Sequence, residues 1–426
     1  MPAEEQALIR NILELRKLQR NLERSAGELR ALQESKLCVL VEHAYRNVPY
    51  YRSLFNEAGL SPENIQSLDD LPRIPVSTRE ALQSEPLDRR MDLALDRAQC
   101  REFRTSGSSG KPLSIILTNN EVRTRQMVHF RALLLAGFRW NDQLLQLGLP
   151  GRRRAGLHER LGLFRSERIQ RDVPIEKQYQ RIREVNPSFL WAAPSKLQVM
   201  CDHTGRPMNE WMQPRVVITS SEMLQAQLAQ RIDDELGAER LNFYGCMETG
   251  RIAYECSAHR GLHINTDQVI IECVRDGQPV PPGEPGLVVV TALNAFGSPF
   301  IRYELGDIGR LLAEPCSCGS PFPLMGPPEG RTYELVILPS GRTITPFLIN
   351  HWVNESSRGS HFRVIQHRPD HLEVLFVNNV EDGNAVASRL RERFERELVE
   401  PVKVDVRQVD SIPDDGSKYC TFVRKF

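Results

Sequence analysis

The sequence predicts an α/β protein in two parts: a large core of mixed sheets and helices over residues 1–330, and a small α+β domain of ferredoxin-like order over residues 331–426. Three observations lead there. A chain of 426 residues is long for one domain, so two or more are expected. From about residue 175 to 310 strand-like and helix-like segments alternate, the pattern of an α/β core. Beyond Gly330-Arg331 the order becomes β-α-β-β-α-β, which sets the boundary at Arg331.

The elements follow in order. Residues 5–45 read as helix, because Leu8, Ile9, Ile12, Leu13, Leu15, Leu18 and Leu22 recur at helical spacing among charged residues. Strands are expected at 100–104 and 113–118, a helix at 120–135 and a strand at 145–149. Residues 151–172 hold seven arginines, Arg152, Arg153, Arg154, Arg160, Arg165, Arg168 and Arg171, offset by Glu159, Glu167 and Asp172. That run reads as a solvated face, with a site for the phosphates of a cosubstrate or an acidic carrier protein as the alternative. Strands at 216–219, 242–243, 269–274 and 287–293 then alternate with helices at 175–185, 195–203 and 224–236. In the C-terminal part a hairpin turns at Pro339-Ser340-Gly341. Helices at 346–354 and 384–398 and strands at 362–367, 372–377, 402–409 and 419–424 complete the chain.

Composition excludes several functions. Formal net charge is zero, so no global field favours nucleic acid or an anionic membrane. No apolar run approaches the roughly 20 residues that cross a bilayer. Glu4 and Glu5 followed by a charged helical pattern are not a secretory signal, and nine scattered cysteines fit a reducing cytoplasm better than a disulfide framework. A homodimer is left open.

The chemistry centres on Thr105-Ser106-Gly107-Ser108-Ser109-Gly110-Lys111-Pro112, set between two expected strands. Glycines let backbone approach a ligand, and consecutive N–H groups in such a loop form a concavity that holds anions. Hydroxyls add donors, and Lys111 can reach a phosphate as a point charge. The loop suits a polyphosphate, although a flexible surface turn is the competing reading of the loop taken alone. It is not a Walker loop: the G-x-x-x-x-G-K-[ST] spacing fails and Pro112 follows the lysine. Ser108 and Ser109 show no sign of a paired base, so no nucleophilic triad is expected.

The loop resembles the phosphate-binding signature of adenylate-forming enzymes, the superfamily of acyl-CoA ligases and adenylation domains. Tyr244-Gly245-Cys246-Met247-Glu248, Tyr303-Glu304-Leu305-Gly306-Asp307 and Gly416-Ser417-Lys418 follow in the order of that superfamily. Two N-terminal patterns, His43-Ala44-Tyr45-Arg46-Asn47-Val48-Pro49-Tyr50-Tyr51-Arg52 and Leu68-Asp69-Asp70-Leu71-Pro72-Arg73-Ile74-Pro75, are similar to the opening of phenylacetate–CoA ligases and the capsule-biosynthesis proteins related to them. The resemblance implies that residues 105–111 hold the β- and γ-phosphates of ATP, and that Glu248 binds magnesium, a cation that takes oxygen ligands. It places Tyr244 and Gly245 against the adenine and acyl groups, and Ser220, Ser221 and Glu222 in a nucleotide-contacting loop. Asp307 would accept both ribose hydroxyls, as two carboxylate oxygens suit a vicinal diol. Arg331 resembles a hinge arginine that contacts ribose. The sequence departs from the pattern there, because Thr332-Tyr333 precede the first acidic residue, Glu334. Lys418 corresponds to the lysine that catalyses adenylation, carried on a mobile C-terminal lid.

A second constellation combines Cys256, His259 and His263 with Cys316-Ser317-Cys318-Gly319. Thiolates and imidazole are the usual donors of a structural zinc site. Cys256, His263, Cys316 and Cys318 are favoured, because related short ligases show a similar pattern; His259 is the rival fourth ligand, and reduced cysteines with surface histidines are the plain alternative.

The expectation is an ATP-dependent ligase that forms an acyl-adenylate from an aromatic carboxylic acid and passes the acyl group to coenzyme A, with Mg²⁺ and a structural Zn²⁺. An amine or an acyl-carrier protein is the rival acceptor, and a non-catalytic nucleotide-binding scaffold is the rival from another class.

Overall fold

The computed structural model describes residues 3–105, 112–148, 155–170, 173–224, 226–357, 361–378, 382–412 and 421–426. The chain divides into two compact units. The larger takes the N-terminal part to Glu222, Ile232–Leu305 and Gly309–Pro327; the smaller takes Met223–Arg231, Gly306–Ile308 and Pro328–Phe426.

The expected single N-terminal helix is two, α1 (Ala3–Arg20) and α2 (Ala26–Asn47). The break is chemical. Ser25 caps α2 through a reciprocal box with Glu28, its backbone N–H reaching the Glu28 carboxylate at 2.8 Å. Asn21, in the intervening turn, is buried and donates to Asp267 at 2.8 Å. Helix α3 (Pro49–Glu57) begins with proline, whose missing N–H costs nothing there. Helix α4 (Arg79–Ser84) is capped by Thr78.

Strands β1 (Cys100–Arg104) and β2 (Ser114–Thr118) pair antiparallel, and Thr118 caps the following helix α5 (Asn119–Leu135). Next come β3 (Gln143–Leu147), α6 (Leu157–Arg160), β4 (Arg165–Ile169), α7 (Ile175–Val185), β5 (Phe189–Ala192), α8 (Pro194–Thr204), β6 (Val216–Ser220), α9 (Ala226–Leu236), β7 (Glu239–Cys246), β8 (Gly250–Glu255) and β9 (Leu262–Ile264). The larger unit continues with β10 (Val269–Arg275), β11 (Gln278–Pro279), β12 (Gly286–Ala292), the start of β13 (Tyr303–Gly309) and β14 (Leu324–Met325). Its main sheet has eight strands among the described residues, in the order β14-β9-β8-β7-β6-β5-β3-β4. From β4 to β7 neighbours are parallel, as βαβ crossovers require; β8, β9 and β14 add antiparallel. Ligands bind such sheets at the carboxyl ends of the parallel strands, where β6 ends at Ser220 and β7 at Cys246. Beneath one face lies a core of Phe138, Phe189, Val216, Ile218, Leu241 and Phe243. A second core joins α2 and α3 to β2, β10 and β12.

Two buried ion pairs organise this unit. Arg131 on α5 grips Asp267 with both of its terminal nitrogens, at 2.7 and 2.8 Å, and also donates to the Leu18 carbonyl and Asn265. Arg302 grips Glu272 in the same two-pronged way, at 3.0 Å twice, and donates to the carbonyls of Pro72, Ile74 and Gly277. Backbone bonds from Ser77 to the Arg302 carbonyl and from Glu304 to the Ser77 carbonyl lay residue 77 alongside β13.

In the smaller unit β15 (Gly330–Arg331) pairs with Asp307 and Ile308. The hairpin expected at Pro339-Ser340-Gly341 forms a sheet of its own, β16 (Val336–Ile337) with β17 (Thr343–Ile344). After α10 (Pro346–Ser357) come β18 (His361–Arg368), β19 (His371–Val377), α11 (Gly383–Leu398), β20 (Lys403–Gln408) and β21 (Phe422–Arg424), in the sheet order β20-β19-β18-β21. Buried Gln366 on β18 stands in for a missing strand neighbour: its side-chain amide accepts from the Ile337 N–H at 3.0 Å and donates to the Ile337 carbonyl at 2.6 Å. Core contacts come from Trp352, Val353, Phe362, Val374, Leu390 and Phe394.

Removing one member of a buried pair leaves a charge unpaired, which costs about 3–5 kcal/mol. Arg302→Met should therefore lower the chemical-denaturation midpoint strongly, and Arg302→Met with Glu272→Leu should recover much of that loss. An unchanged midpoint in the single variant would show that the pair does not hold residues 72–77.

Candidate functional site

The β7–β8 hairpin presents the turn Met247-Glu248-Thr249. Cys246 faces Gly250 and Gly245 faces Arg251 across it, with an irregularity after Tyr244. A Cβ on Gly245 would lie 2.4 Å from the Gly250 carbonyl, so the turn closes this tightly only over glycine. Tyr244 packs against the second core. Arg125 on α5 fixes the turn from behind, donating to the carbonyls of Met247 at 2.7 Å and Glu248 at 2.6 Å.

Glu248 is buried, and Arg79 makes it tolerable there. The Arg79 guanidinium donates to the Glu248 carboxylate at 3.1 Å and to the Thr105 hydroxyl at 2.6 Å. Thr105 also accepts from the Leu113 N–H at 2.9 Å, and its own N–H reaches the Leu113 carbonyl at 3.0 Å. The base of the Ser/Gly loop is thus closed and tied through one arginine to the acidic turn. The Tyr303 hydroxyl lies 3.5 Å from the same carboxylate, and burial followed by the Glu248 charge raises its pKa well above the usual phenol range. Ser106, Gly107, Ser108, Ser109, Gly110 and Lys111 lie outside the described residues.

Arg79, Arg125 and Tyr303 were not among the expected site residues. Arg79 follows directly on the Leu68–Pro75 pattern, and that proximity was the one signal available. The structure also gives the N-terminal patterns their physical meaning. The Tyr51 hydroxyl is buried, donating to the Pro299 carbonyl at 3.1 Å and accepting from Ile301 at 2.9 Å, while Tyr50 reaches Ser77 at 3.3 Å. These aromatics are scaffold for the segment that delivers Arg79.

Ser220 ends β6 and accepts from the Trp191 indole N–H at 2.7 Å. Ser221 has a positive φ of 74°, a conformation that costs free energy for a residue with a Cβ and recurs at functional sites. Glu222 caps the start of α8 by accepting from Ser195 at 3.0 Å.

In the smaller unit Asp307 and Arg331 are cross-strand partners, and the Arg331 Nε donates to the Asp307 carboxylate at 3.1 Å. The late acidic residue Glu334 accepts from the Arg331 backbone N–H at 3.3 Å, closing a short 3-10 turn. Lys418 lies outside the described residues.

The second constellation is in the larger unit. The donor atoms of Cys256, His263, Cys316 and Cys318 all lie within 4.8 Å of one another. Cys256 and Cys316 sulfurs are 3.6 Å apart, and Cys318 sulfur is 3.3 Å from His263 Nε2. A tetrahedron with zinc–sulfur bonds of about 2.3 Å has edges of about 3.8 Å, so the cluster has zinc dimensions. His263 lies 3.0 Å through Nδ1 from the Phe322 carbonyl, a partner that requires N–H there and leaves Nε2 as the electron-pair donor. His259 stands apart, its two ring nitrogens 2.9 Å from Glu255 and 3.4 Å from Glu239.

No protein-family model matches the chain. Among curated proteins it is similar to a phenylacetate-coenzyme A ligase of Thermus thermophilus, 31% identical over 336 residues that cover 73% of this chain and 72% of that one. A phenylacetate-coenzyme A ligase of Escherichia coli is 28% identical over 422 residues, covering 93% and 94%. Among solved structures, a 2-hydroxyisobutyryl-CoA ligase in the postadenylation state matches with a TM-score of 0.82 at 19% identity, over 96% of this chain and 92% of that one. ATP-bound MatB from Rhodopseudomonas palustris matches with a TM-score of 0.53 at 18% identity, over 78% and 68%. At these identities the structural likenesses speak for the fold.

The Arg79 bridge yields a direct test. Arg79→Ala leaves the Glu248 carboxylate buried without its partner, which should cost about 1–3 kcal/mol in equilibrium unfolding. Adding Glu248→Gln to that variant should return part of the loss. Additive effects of the two substitutions would show that the contact is not energetically coupled.

Proposed function

This chain belongs to the phenylacetate–CoA ligase family, and we propose that it activates an aromatic carboxylic acid with ATP and passes the acyl group to coenzyme A. The observation that supports this most is the Arg79 bridge, which ties the base of the Ser/Gly loop to the buried carboxylate of Glu248. A phosphate loop and a magnesium-binding carboxylate would have to act on the same polyphosphate, and the Arg79 guanidinium joins Thr105, at the base of that loop, to Glu248.

In the first half-reaction a carboxylate oxygen attacks the α-phosphorus. A new P–O bond forms, the bond to the bridging oxygen breaks, and pyrophosphate leaves. Two anions must meet, so positive charge has to be concentrated where they do. Residues 105–111 would hold the β- and γ-phosphates through N–H groups, hydroxyls and Lys111. Glu248 would hold Mg²⁺, which supplies charge neutralisation on the phosphates when bound. Tyr244, Gly245, Ser221 and Glu222 would line the nucleotide and acyl site. Asp307 would accept the ribose hydroxyls, with Arg331 orienting its carboxylate. Lys418, on a lid of residues 331–426, would bridge the acid carboxylate and the α-phosphate. In the second half-reaction the coenzyme A sulfur attacks the acyl carbon and AMP leaves with the bonding pair. Lid closure would exclude water from the mixed anhydride.

We also propose that Cys256, His263, Cys316 and Cys318 hold one structural zinc. Four protein donors leave no open position for substrate, so the ion would stabilise rather than catalyse.

The function is tested by separating the half-reactions. Lys418→Ala should lose ATP–pyrophosphate exchange by at least about a hundred-fold, roughly the effect of removing a charged contact in the transition state. Given synthetic acyl-adenylate and coenzyme A, the same protein should still form thioester at a substantial rate. Near-normal exchange in the variant, or equal loss in both steps with the fold intact, would overturn the assignment.

The zinc is tested by elemental analysis. The purified protein should contain about one zinc per chain, and Cys318→Ser should lower metal content and melting temperature before it lowers specific activity. His259→Ala should leave the metal content unchanged. A zinc-free protein with normal stability would remove the site.

A further inference from the structure

Arg251 is the second residue of the return strand of the acidic hairpin, three residues after Glu248, and its surroundings do not suit a structural arginine. Its guanidinium lies over the Trp191 ring at 5.1 Å and the Phe243 ring at 4.8 Å. Its one polar side-chain contact among the described residues is with His129 Nδ1, 3.4 Å from Nη2. Since a guanidinium only donates, that contact makes Nδ1 the acceptor. His129 stacks on Trp191 with centroids 4.7 Å apart, and Trp191 is itself anchored on Ser220. No described carboxylate pairs with Arg251, and its Nε finds no hydrogen-bond partner. The contrast within this protein is sharp, because Arg131 and Arg302 are each locked to a buried acid by two bonds.

Arg251 also lines a cavity with Glu121, Thr124, Arg125, Thr249 and Asn294. The cavity's only carboxylate among the described residues is already committed: Glu121 accepts from the N–H groups of Thr118, Phe296 and Gly297 at 2.6, 2.6 and 3.0 Å. Arg125 spends its donors on neutral carbonyls. Burial depresses both guanidiniums below the ordinary arginine value, Arg251 to about 9. Two half-buried cations thus face one cavity whose described lining holds a single carboxylate, itself held by three backbone N–H groups, and an anion arriving there would offset the loss of water around the guanidiniums.

We infer that Arg251 is a specificity-determining residue that receives a second anionic group of the acid, so that the substrate is an aromatic acid bearing another carboxylate. This rests on the adenylation reading above. The second group, rather than the reacting carboxylate, fits the geometry. The attacking oxygen needs a free lone pair directed at phosphorus, whereas a guanidinium clamped between two rings would hold its anion in place. The rings of Trp191 and Phe243, with His129 stacked on Trp191, pack against the guanidinium and fix its direction; the aryl character of the acid is taken from the adenylation reading.

The test compares phenylacetate with the 1,2-, 1,3- and 1,4-phenylenediacetates, which add only the second carboxylate. Pyrophosphate exchange should favour at least one diacid over phenylacetate by about ten-fold or more in kcat/KM, as a charge-assisted contact gives. Arg251→Met should reduce that ratio at least ten-fold, and Arg251→Lys, which keeps charge without the planar fork, should fall between. Melting curves would establish that both variants are folded, and Arg251→Lys alone decides the matter if Arg251→Met is not. A wild-type preference for phenylacetate over all three diacids, or a ratio untouched by the substitution, overturns the inference. Absence of exchange with every acid would sink the adenylation reading instead. Direct titration of the diacids by tryptophan fluorescence would then still decide, with weaker binding to Arg251→Met in support and equal binding against.

Discussion

The larger unit depends on the guanidinium of Arg302. It is buried together with Glu272, and their mutual attraction alone would not repay the loss of water. What makes the arrangement stable is that the remaining donors all find acceptors, in the carbonyls of Pro72, Ile74 and Gly277. A segment rich in proline, which cannot form a regular ladder, is thereby held against β13 by a side chain. Ser77 then exchanges backbone bonds with residues 302 and 304, and two residues later Arg79 emerges at Glu248 and Thr105. The catalytic geometry proposed here inherits its precision from that buried pair.

Much of the fold was legible because its signals are local. The alternation over residues 175–310, the C-terminal β-α-β-β-α-β order and the strands flanking the Ser/Gly loop each sit in a short window. The elements that escaped notice are those where tertiary context overrides local pattern. Strand β4 reads Arg-Ser-Glu-Arg-Ile, a solvated face by composition, yet it is the edge of the main sheet, where charged residues block further pairing. Strand β8 opens with Gly250-Arg251 and has only Ile252, Ala253 and Tyr254 as an apolar run, and β9 has three residues, too few for any periodicity. The break between α1 and α2 turns on Ser25 and Glu28, a two-residue capping signal that the longer apolar repeat outweighs in the sequence.

The site shows the same division. Turn residues such as Gly245 and Glu248 are contiguous and could be found by pattern. Arg79 and Glu248 are separated by 169 positions and Cys256 and Cys316 by 60, so their meeting is a property of the sheet order. The zinc-like cluster was nevertheless readable in outline, because donor types alone narrow the chemistry. Only the structure distinguishes His263, held on the Phe322 carbonyl, from His259, held among glutamates.

The contacts that close the larger unit join residues more than 200 positions apart: Asn21 reaches Asp267, Tyr51 reaches Pro299, and Arg302 reaches back to Pro72. On a translating ribosome the N-terminal helices emerge long before their partners exist. At about 5–20 residues per second, the Pro72 carbonyl waits roughly 10 to 50 seconds for the arginine that will hold it. Through that interval Tyr51, Phe55 and the apolar face of α2 have no core to enter. During synthesis that apolar surface is therefore exposed to solvent until the second half of the larger unit has been made.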